Sequence, residues 1–200
     1  RLTRGERRDA NNALLDWTSY EYDALGRTVK TTNARGVTSA TQYDELGQQV
    51  KSTTMAGSYH LVVEYGYDNN GRQTWVKGSD GEITSNEYDD LGRLLRVYRN
   101  DTLSGNEPLH TGVVVQENTY DENDQRVEEK DAEGKITRYE YDEQGRITNA
   151  WFDDGDLDLH FEFGFDDYGN QTSFTNGNSK TRTSFYDAKG RLIREYSPQG

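Results

Sequence analysis

The sequence contains no cysteine and only two prolines among its 200 residues. Without cysteine, the chain can form neither a disulfide framework nor a thiolate-based metal or catalytic site. It also has no run that approaches the roughly 20 apolar residues of a membrane-spanning helix. The chain does not begin with Met and shows no signal peptide, and we expect it to be a fragment of a longer protein.

Aliphatic residues are scarce and the charge balance is acidic. Leu, Ile, Val and Phe together make up 35 of the 200 residues, and the formal net charge is −13. That combination is typical of disordered chains, and its sign argues against nucleic acid and anionic membrane as partners. The 14 Tyr, 6 Phe and 3 Trp supply apolar area that an aliphatic count misses. We therefore expect a thin, folded, tyrosine-rich object.

One six-residue motif, Tyr-Asp-x-x-Gly-Arg, is repeated along the whole chain. The gaps between the first residues of successive copies are 21, 24, 21, 32, 21, 24 and 21. A fixed period of this size indicates a repeat architecture in which each unit is stable only against its neighbours. The eight copies are Tyr22-Asp23-Ala24-Leu25-Gly26-Arg27, Tyr43-Asp44-Glu45-Leu46-Gly47-Gln48, Tyr67-Asp68-Asn69-Asn70-Gly71-Arg72, Tyr88-Asp89-Asp90-Leu91-Gly92-Arg93, Tyr120-Asp121-Glu122-Asn123-Asp124-Gln125, Tyr141-Asp142-Glu143-Gln144-Gly145-Arg146, Phe165-Asp166-Asp167-Tyr168-Gly169-Asn170 and Tyr186-Asp187-Ala188-Lys189-Gly190-Arg191.

Each motif predicts a β-hairpin. Asp at the first turn position can bond to the backbone two residues on, and Gly at the fourth tolerates positive φ. Aromatic residues two apart, such as Tyr139 and Tyr141, share one face of a strand. A second set of turns, such as 33–36 and 131–134, falls between the motifs. The sequence thus predicts an all-β, antiparallel meander of roughly 16 strands of ~5–6 residues, and a sheet this wide is expected to curve as a strip.

The whole of residues 1–200 is predicted to be a single array, with the hairpins paired into units of about 45 residues. The segment 63–68 matches 161–166 at an offset of 98. Residues 100–112 fill the gap of 32 and are predicted to form an inserted, exposed loop. The segment Arg7 to Trp17 is the one weak candidate for a helix.

The motif, together with the intervening pattern Asp131-Ala132-Glu133-Gly134-Lys135-Ile136-Thr137, resembles the YD repeat of RHS proteins over nearly the whole chain. The resemblance implies β-strips that spiral into a hollow shell. It also implies a role, because such shells in bacterial polymorphic toxins and insecticidal toxin complexes enclose a C-terminal toxin. More distantly similar repeats occur in teneurin-like cell-surface receptors. The copies at Gln48, Asp124-Gln125, Phe165 and Asn170 depart from the motif, and the family's autoproteolytic core motif is absent.

Sites for chemistry are not evident. The acidic run Asp154-Gly155-Asp156-Leu157-Asp158 lacks the Gly and Glu of a calcium loop, and His60, His110 and His160 have no ligand partner at a suitable spacing. No nucleophile elbow or phosphate loop occurs. We therefore predict no enzyme, no catalytic residue, no cofactor and no metal. The motif arginines are expected to bridge to acidic residues of neighbouring units.

Two functions from different classes follow. The first is a non-enzymatic wall segment of an RHS-type shell, secreted or displayed at the cell surface, whose partners are further repeats and a toxin domain of the same chain. The alternative is a surface module that binds glycans or a partner protein. Since the periodic tyrosines are expected to pack between repeats, the candidate ligand contacts are the aromatics outside the motif, Trp17, Trp75 and Trp151.

Overall fold

The computed structural model describes residues 2–8, 14–153 and 158–197, and every regular element in them is a β-strand. The strands are β1 Leu2–Arg8, β2 Leu14–Tyr22, β3 Thr28–Asn33, β4 Thr38–Tyr43, β5 Gln49–Ala56, β6 Tyr59–Tyr67, β7 Gln73–Lys77, β8 Ile83–Tyr88, β9 Leu94–Arg99, β10 Leu103–Ser104, β11 Glu107–Pro108, β12 Val113–Tyr120, β13 Arg126–Asp131, β14 Ile136–Tyr141, β15 Ile147–Asp153, β16 Asp158–Phe165, β17 Gln171–Thr175, β18 Thr181–Tyr186 and β19 Leu192–Tyr196. The predicted all-β, antiparallel meander of hairpins is confirmed.

The chain divides into two compact units. The first comprises residues 1–86 and 98–112, and the second comprises residues 87–97 and 113–200. In the first unit, strands from β1 to β8 pair antiparallel with their neighbours in chain order. In the second unit, the strands from β12 to β19 do the same.

Each sheet has two chemically different faces, because residues that pair directly across strands share a face. In the first unit, Lys51 pairs with Glu64 and Gly66 pairs with Trp75 on one face. The adjacent residues Tyr65 and Tyr67 lie on the other face. In the second unit, Phe163 pairs with Phe174 on the aromatic face.

The core is as thin as the composition predicts. Within the described residues, the buried hydrophobic side chains are Trp75, Tyr98 and Ala150. Most other strand residues are half-buried, as expected for a single sheet in which no deep aliphatic core forms. The described residues contain no helix that is long and apolar enough to cross a membrane.

Two expectations need correction. The helix candidate at 7–17 is wrong where it is described, because residues 7–8 and 14–17 belong to the paired strands β1 and β2; residues 9–13 lie outside the described part. The insertion is also more ordered than a plain exposed loop. It contains the short hairpin β10–β11, and its Asp101 is buried. The described residues form 19 strands rather than about 16, partly because of this hairpin.

Candidate functional site

The Tyr-Asp turns share one backbone geometry. In the first copy, Asp23 N–H donates to Arg27 O (3.0 Å) and Gly26 N–H donates to Asp23 O (3.2 Å). Gly26 has φ of +82°, and the strand register shifts between Glu21 and Tyr22. This is a type I turn followed by a bulge at a left-handed glycine. This left-handed conformation favours glycine at position 5 of the motif, because a residue with a Cβ is strained there.

The motif aspartate fastens its own turn. Asp23 Oδ1 accepts hydrogen bonds from the backbone N–H groups of Leu25 and Arg27, both at 2.9 Å, while Oδ2 accepts from Arg27 Nε at 2.7 Å. The Arg27 hydrogen bond lowers the pKa of Asp23 against the opposing effect of desolvation. The same lowering of the aspartate pKa holds in the other copies with Arg at position 6, at Asp68, Asp89, Asp142 and Asp187.

The motif arginines were predicted to pair with acidic residues of neighbouring units, and most of their ion pairs are found elsewhere. Each one pairs with the aspartate of its own turn, four residues earlier, rather than chiefly with acids of neighbouring units. The distances are 2.6–2.7 Å for Arg27, Arg72, Arg93, Arg146 and Arg191. One ion pair between motifs occurs as expected, from Arg93 to Asp124 at 2.7 Å. The pair within one turn forms in preference because the tight turn already brings the aspartate and the arginine together.

A second set of contacts joins each turn to the next, and we call it the turn ladder. The tyrosine hydroxyl at position 1 of one motif donates to the carbonyl of the residue that follows the previous motif. The pairs are Tyr43 to Thr28 (3.3 Å), Tyr67 to Gln49 (2.9 Å), Tyr120 to Leu94 (2.9 Å), Tyr141 to Arg126 (2.7 Å) and Tyr186 to Gln171 (3.0 Å). These bonds satisfy the hydroxyls of half-buried rings.

The residue at position 6 completes the ladder by lying on the next turn. The guanidinium carbon of Arg27 lies 4.5 Å from the Tyr43 ring centroid, and the corresponding distances are 4.8 Å for Arg93 on Tyr120 and 4.6 Å for Arg146 on Phe165. Such stacking of Arg on aromatic faces is a cation–π contact. The glycine of the next turn leaves room for these side chains. A Cβ built at Gly47 would lie 3.3 Å from Arg27 Nη1.

The copies that depart from the motif keep the geometry. Asp124 takes the place of glycine with φ of +64°, and its N–H still donates to Asp121 O at 3.3 Å. Phe165 has no hydroxyl to donate, but Arg146 Nη1 donates to Asp166 O at 3.2 Å. The ladder thus depends on turn shape and side-chain packing rather than on any single residue type.

The RHS-repeat family model matches residues 22–59 and 120–150, and these segments contain four of the turns just described. These two segments are RHS repeats. The comparison with curated protein sequences found no significant match.

Solved structures share the fold of this chain. The crystal structure of TcdB2-TccC3-TEV is 18% identical over 92% of this chain, with a TM-score of 0.67. The Photorhabdus luminescens Tc holotoxin pore is 16% identical over 96% of this chain, with a TM-score of 0.53. The present chain spans only 10% of the first of those chains and 13% of the second.

The three tryptophans outside the Tyr-Asp motif lie in different surroundings. Trp75 is buried, its indole lies over Gly66, and its Nε1–H donates to Asn106 O at 2.8 Å. Little of its ring is left for a ligand. Trp151 stacks on His160 with centroids 4.8 Å apart, and Arg4 lies over Trp17 at 4.6 Å. Both of these rings are half-buried, and their role as ligand contacts stays a prediction.

The array of Tyr-Asp turns is interrupted by the insertion, which is held by a hub at Asp101. Its carboxylate accepts hydrogen bonds from Ser85 Oγ and from the backbone N–H groups of Thr102, Thr111 and His110 at 2.8, 2.8 and 3.1 Å. Burial would raise the pKa of Asp101, but these hydrogen bonds lower it to about 2. This hub was not predicted from the sequence, in which the gap of 32 between motifs marks only where the insertion lies.

Ser85, Asp101 and His110 have the residue types of a catalytic triad but not its arrangement. Ser85 is fully buried and donates to Asp101, whereas a nucleophile must be accessible and must give its proton to a base. His110 Nδ1 lies 3.5 Å from Ser85 Oγ. The cluster therefore fastens the insertion.

Metal chemistry has no support in the described part of the chain. Those residues contain no group of three or more His, Cys, Asp or Glu side chains that could hold an ion. His60 is exposed, and His160 Nε2 lies 3.0 Å from Asn149 Oδ1. The acidic run at 154–158 lies outside the described residues except for Asp158, so it stays as predicted from sequence.

Proposed function

We propose that this chain is a wall segment of an RHS-type shell, which encloses a toxin domain of the same, longer polypeptide until delivery. The observation that carries the proposal is the fold match to TcdB2-TccC3 over 92% of the chain. The wall segment is non-enzymatic, and its partners are further RHS repeats and the enclosed domain. Such a protein is secreted or displayed at the cell surface.

The geometry supports a mechanical role. The strands are hydrogen-bonded to their neighbours along each unit. Few backbone N–H and C=O groups within the sheet are therefore left to pair with another polypeptide. The turn ladder adds side-chain links between successive hairpins at one edge of each sheet. A sheet reinforced in this way excludes proteases and solvent components by its continuity. Such an enclosing role needs no catalytic residue.

The test uses the parent gene. The sequence that follows Gly200 is determined, and the full polypeptide is expressed and treated with a nonspecific protease. We expect a C-terminal domain that is toxic when expressed alone and that resists the protease within the full polypeptide. A parent chain that stops soon after Gly200, or that carries a wall anchor there, would contradict enclosure.

The surface-binding alternative is favoured by one local feature of the first unit. A polar depression lies beside the insertion, at a place where the repeat is irregular. Loops and irregular segments on a rigid scaffold commonly carry binding sites.

A further inference from the structure

A groove crosses strands β14 to β17 on the aromatic face of the second unit. It has a volume of about 680 Å³, within the range of about 300–1,000 Å³ of small-molecule sites. Seven of the ten residues that line it are aromatic, and none of the ten is charged. Five of the rings belong to Phe152, Phe161, Phe163, Phe165 and Phe174. A polar or ionic ligand would find no partner for its hydrogen bonds among these rings, so the lining suits an apolar molecule.

The phenylalanines of the groove are not required by the repeat. The two units correspond at an offset of 98 residues, and the strand register agrees with that correspondence. At this offset the first unit has smaller side chains in place of three of the rings. They are Thr54 for Phe152, Val63 for Phe161 and Val76 for Phe174. Since the first unit forms the same meander without these rings, their presence in the second unit points to a task other than folding.

The rings of the groove do not cover one another completely. Phe161 lies at the centre, with its ring centroid 5.3 Å from that of Phe152 in an edge-to-face pair and 6.1 Å from that of Phe174 in an offset stack. Phe152 nevertheless keeps 42% of its surface exposed, and the other four phenylalanines are only half-buried. An apolar molecule in the groove would remove the remaining ring surface from water, which is favourable.

The charges around the groove favour a neutral ligand. Arg126, Arg146 and Arg182 lie over rings that line it, at 4.6–5.8 Å from the ring centroids. Each of these arginines is paired with a carboxylate, at 2.8, 2.6 and 3.7 Å respectively. An anionic ligand would have to compete with those carboxylates in a chain of net charge −13, and an organic cation would have to compete with the arginines for the ring faces.

We propose that this groove binds a neutral aromatic molecule of two or three fused rings. Aromatic rings pack on aromatic partners in edge-to-face and offset arrangements, and such pairs are more favourable than their buried area alone. A saturated molecule of the same size would gain only the buried area, because Ile147 and Ala150 are the aliphatic side chains of the lining. The proposal does not depend on the shell-wall role.

The test titrates 2-naphthol into the intact 200-residue chain and follows the backbone amide signals by NMR. The saturated analogue 2-decalol and the anion 2-naphthoate are titrated in parallel. We expect 2-naphthol to shift amides of β15 to β17 and to leave the corresponding strands β5 to β7 of the first unit unchanged. Phe161→Val, which introduces the residue type found at Val63, should weaken binding roughly three- to tenfold, as the loss of one aromatic pair does.

The matched control is Phe185→Val. Phe185 is an exposed ring of the same unit, but it does not line the groove, so this variant should leave 2-naphthol binding unchanged. Phe152→Thr is a second lining variant, at a ring that is already partly exposed, and it should weaken binding in a chain that stays folded. The proposal is overturned if 2-naphthol shifts no signal of the second unit, if both lining variants bind it as tightly as the unmodified chain, or if 2-decalol or 2-naphthoate binds as tightly as 2-naphthol.

Discussion

Replacing Gly66 with alanine should displace the largest buried side chain of the first unit. A Cβ at Gly66 would overlap Nε1 and Cε2 of Trp75, so the indole must leave its place across the strand pair. It would then lose its hydrogen bond to Asn106 O and its burial, since Trp75 is only 7% exposed. Overpacking and truncation data for large core residues place the loss of unfolding free energy at about 2–4 kcal/mol.

The assay is urea unfolding, followed at backbone amide signals of each unit so that both units are monitored separately in every variant. Gly164→Ala is the matched control in the second unit. Its Cβ would meet Ser173 Oγ, a small hydroxyl that can rotate away, so the loss should be under about 1 kcal/mol. In a Trp75→Ala background, Gly66→Ala should also cost little, because the clashing ring is gone. Equal losses at Gly66 and Gly164, or an undiminished loss in the Trp75→Ala background, would refute the reasoning.

Three further predictions concern the turns and the insertion. Arg27→Gln removes the stack on Tyr43 and the pair with Asp23, and should lower the unfolding free energy by about 0.5–1.5 kcal/mol. The control, Arg35→Gln at an exposed turn, should lower it by less. Equal shifts of the urea midpoint in the two variants would contradict this prediction. Ser179→Gly should raise thermal stability by about 0.5–1 kcal/mol, because Ser179 has φ of +59° that glycine adopts without strain; a lower melting temperature would argue against strain there. Because the pKa of Asp101 is lowered to about 2 from its ordinary value of 3.8, its stabilisation of the insertion should be complete above the higher value and lost as pH falls toward the lower. Hydrogen exchange at the Thr111 amide should follow that window, and Asp101→Asn should abolish the dependence; protection that is constant down to pH 2 would contradict the hub.

The turns could be predicted from sequence because their information is local. Asp at position 2 and Gly at position 5 of the motif determine the turn with their own side-chain and backbone preferences, and a copy such as 141–146 is readable on its own. The alternation of Tyr139, Glu140 and Tyr141 likewise predicted the strand and its faces. The short β10–β11 hairpin was not visible, because its strands have two residues each.

The contacts between side chains of different strands could not be predicted without knowing the strand register. Trp75 looked like a candidate ligand contact because it lies outside the motif, but the pairing with Gly66 is what lets it lie flat and buried. The motif arginines were assigned to neighbouring acids because charge alone does not show that Asp23 already lies within 2.7 Å of Arg27. The hub at Asp101 joins residues that are 16 positions apart in the case of Ser85, and no spacing rule anticipates that contact.

The turn ladder has a consequence for how such a chain is built. Its hydroxyl-to-carbonyl bonds connect residues 15 positions apart at Tyr43, Tyr141 and Tyr186, and 18 apart at Tyr67. Contacts this short in sequence close with little loss of chain entropy, and domains rich in them fold quickly. Each new hairpin docks on one that is already complete. A polypeptide leaving the ribosome can therefore fold this sheet one hairpin at a time, in the order of synthesis, before the later repeats have been made.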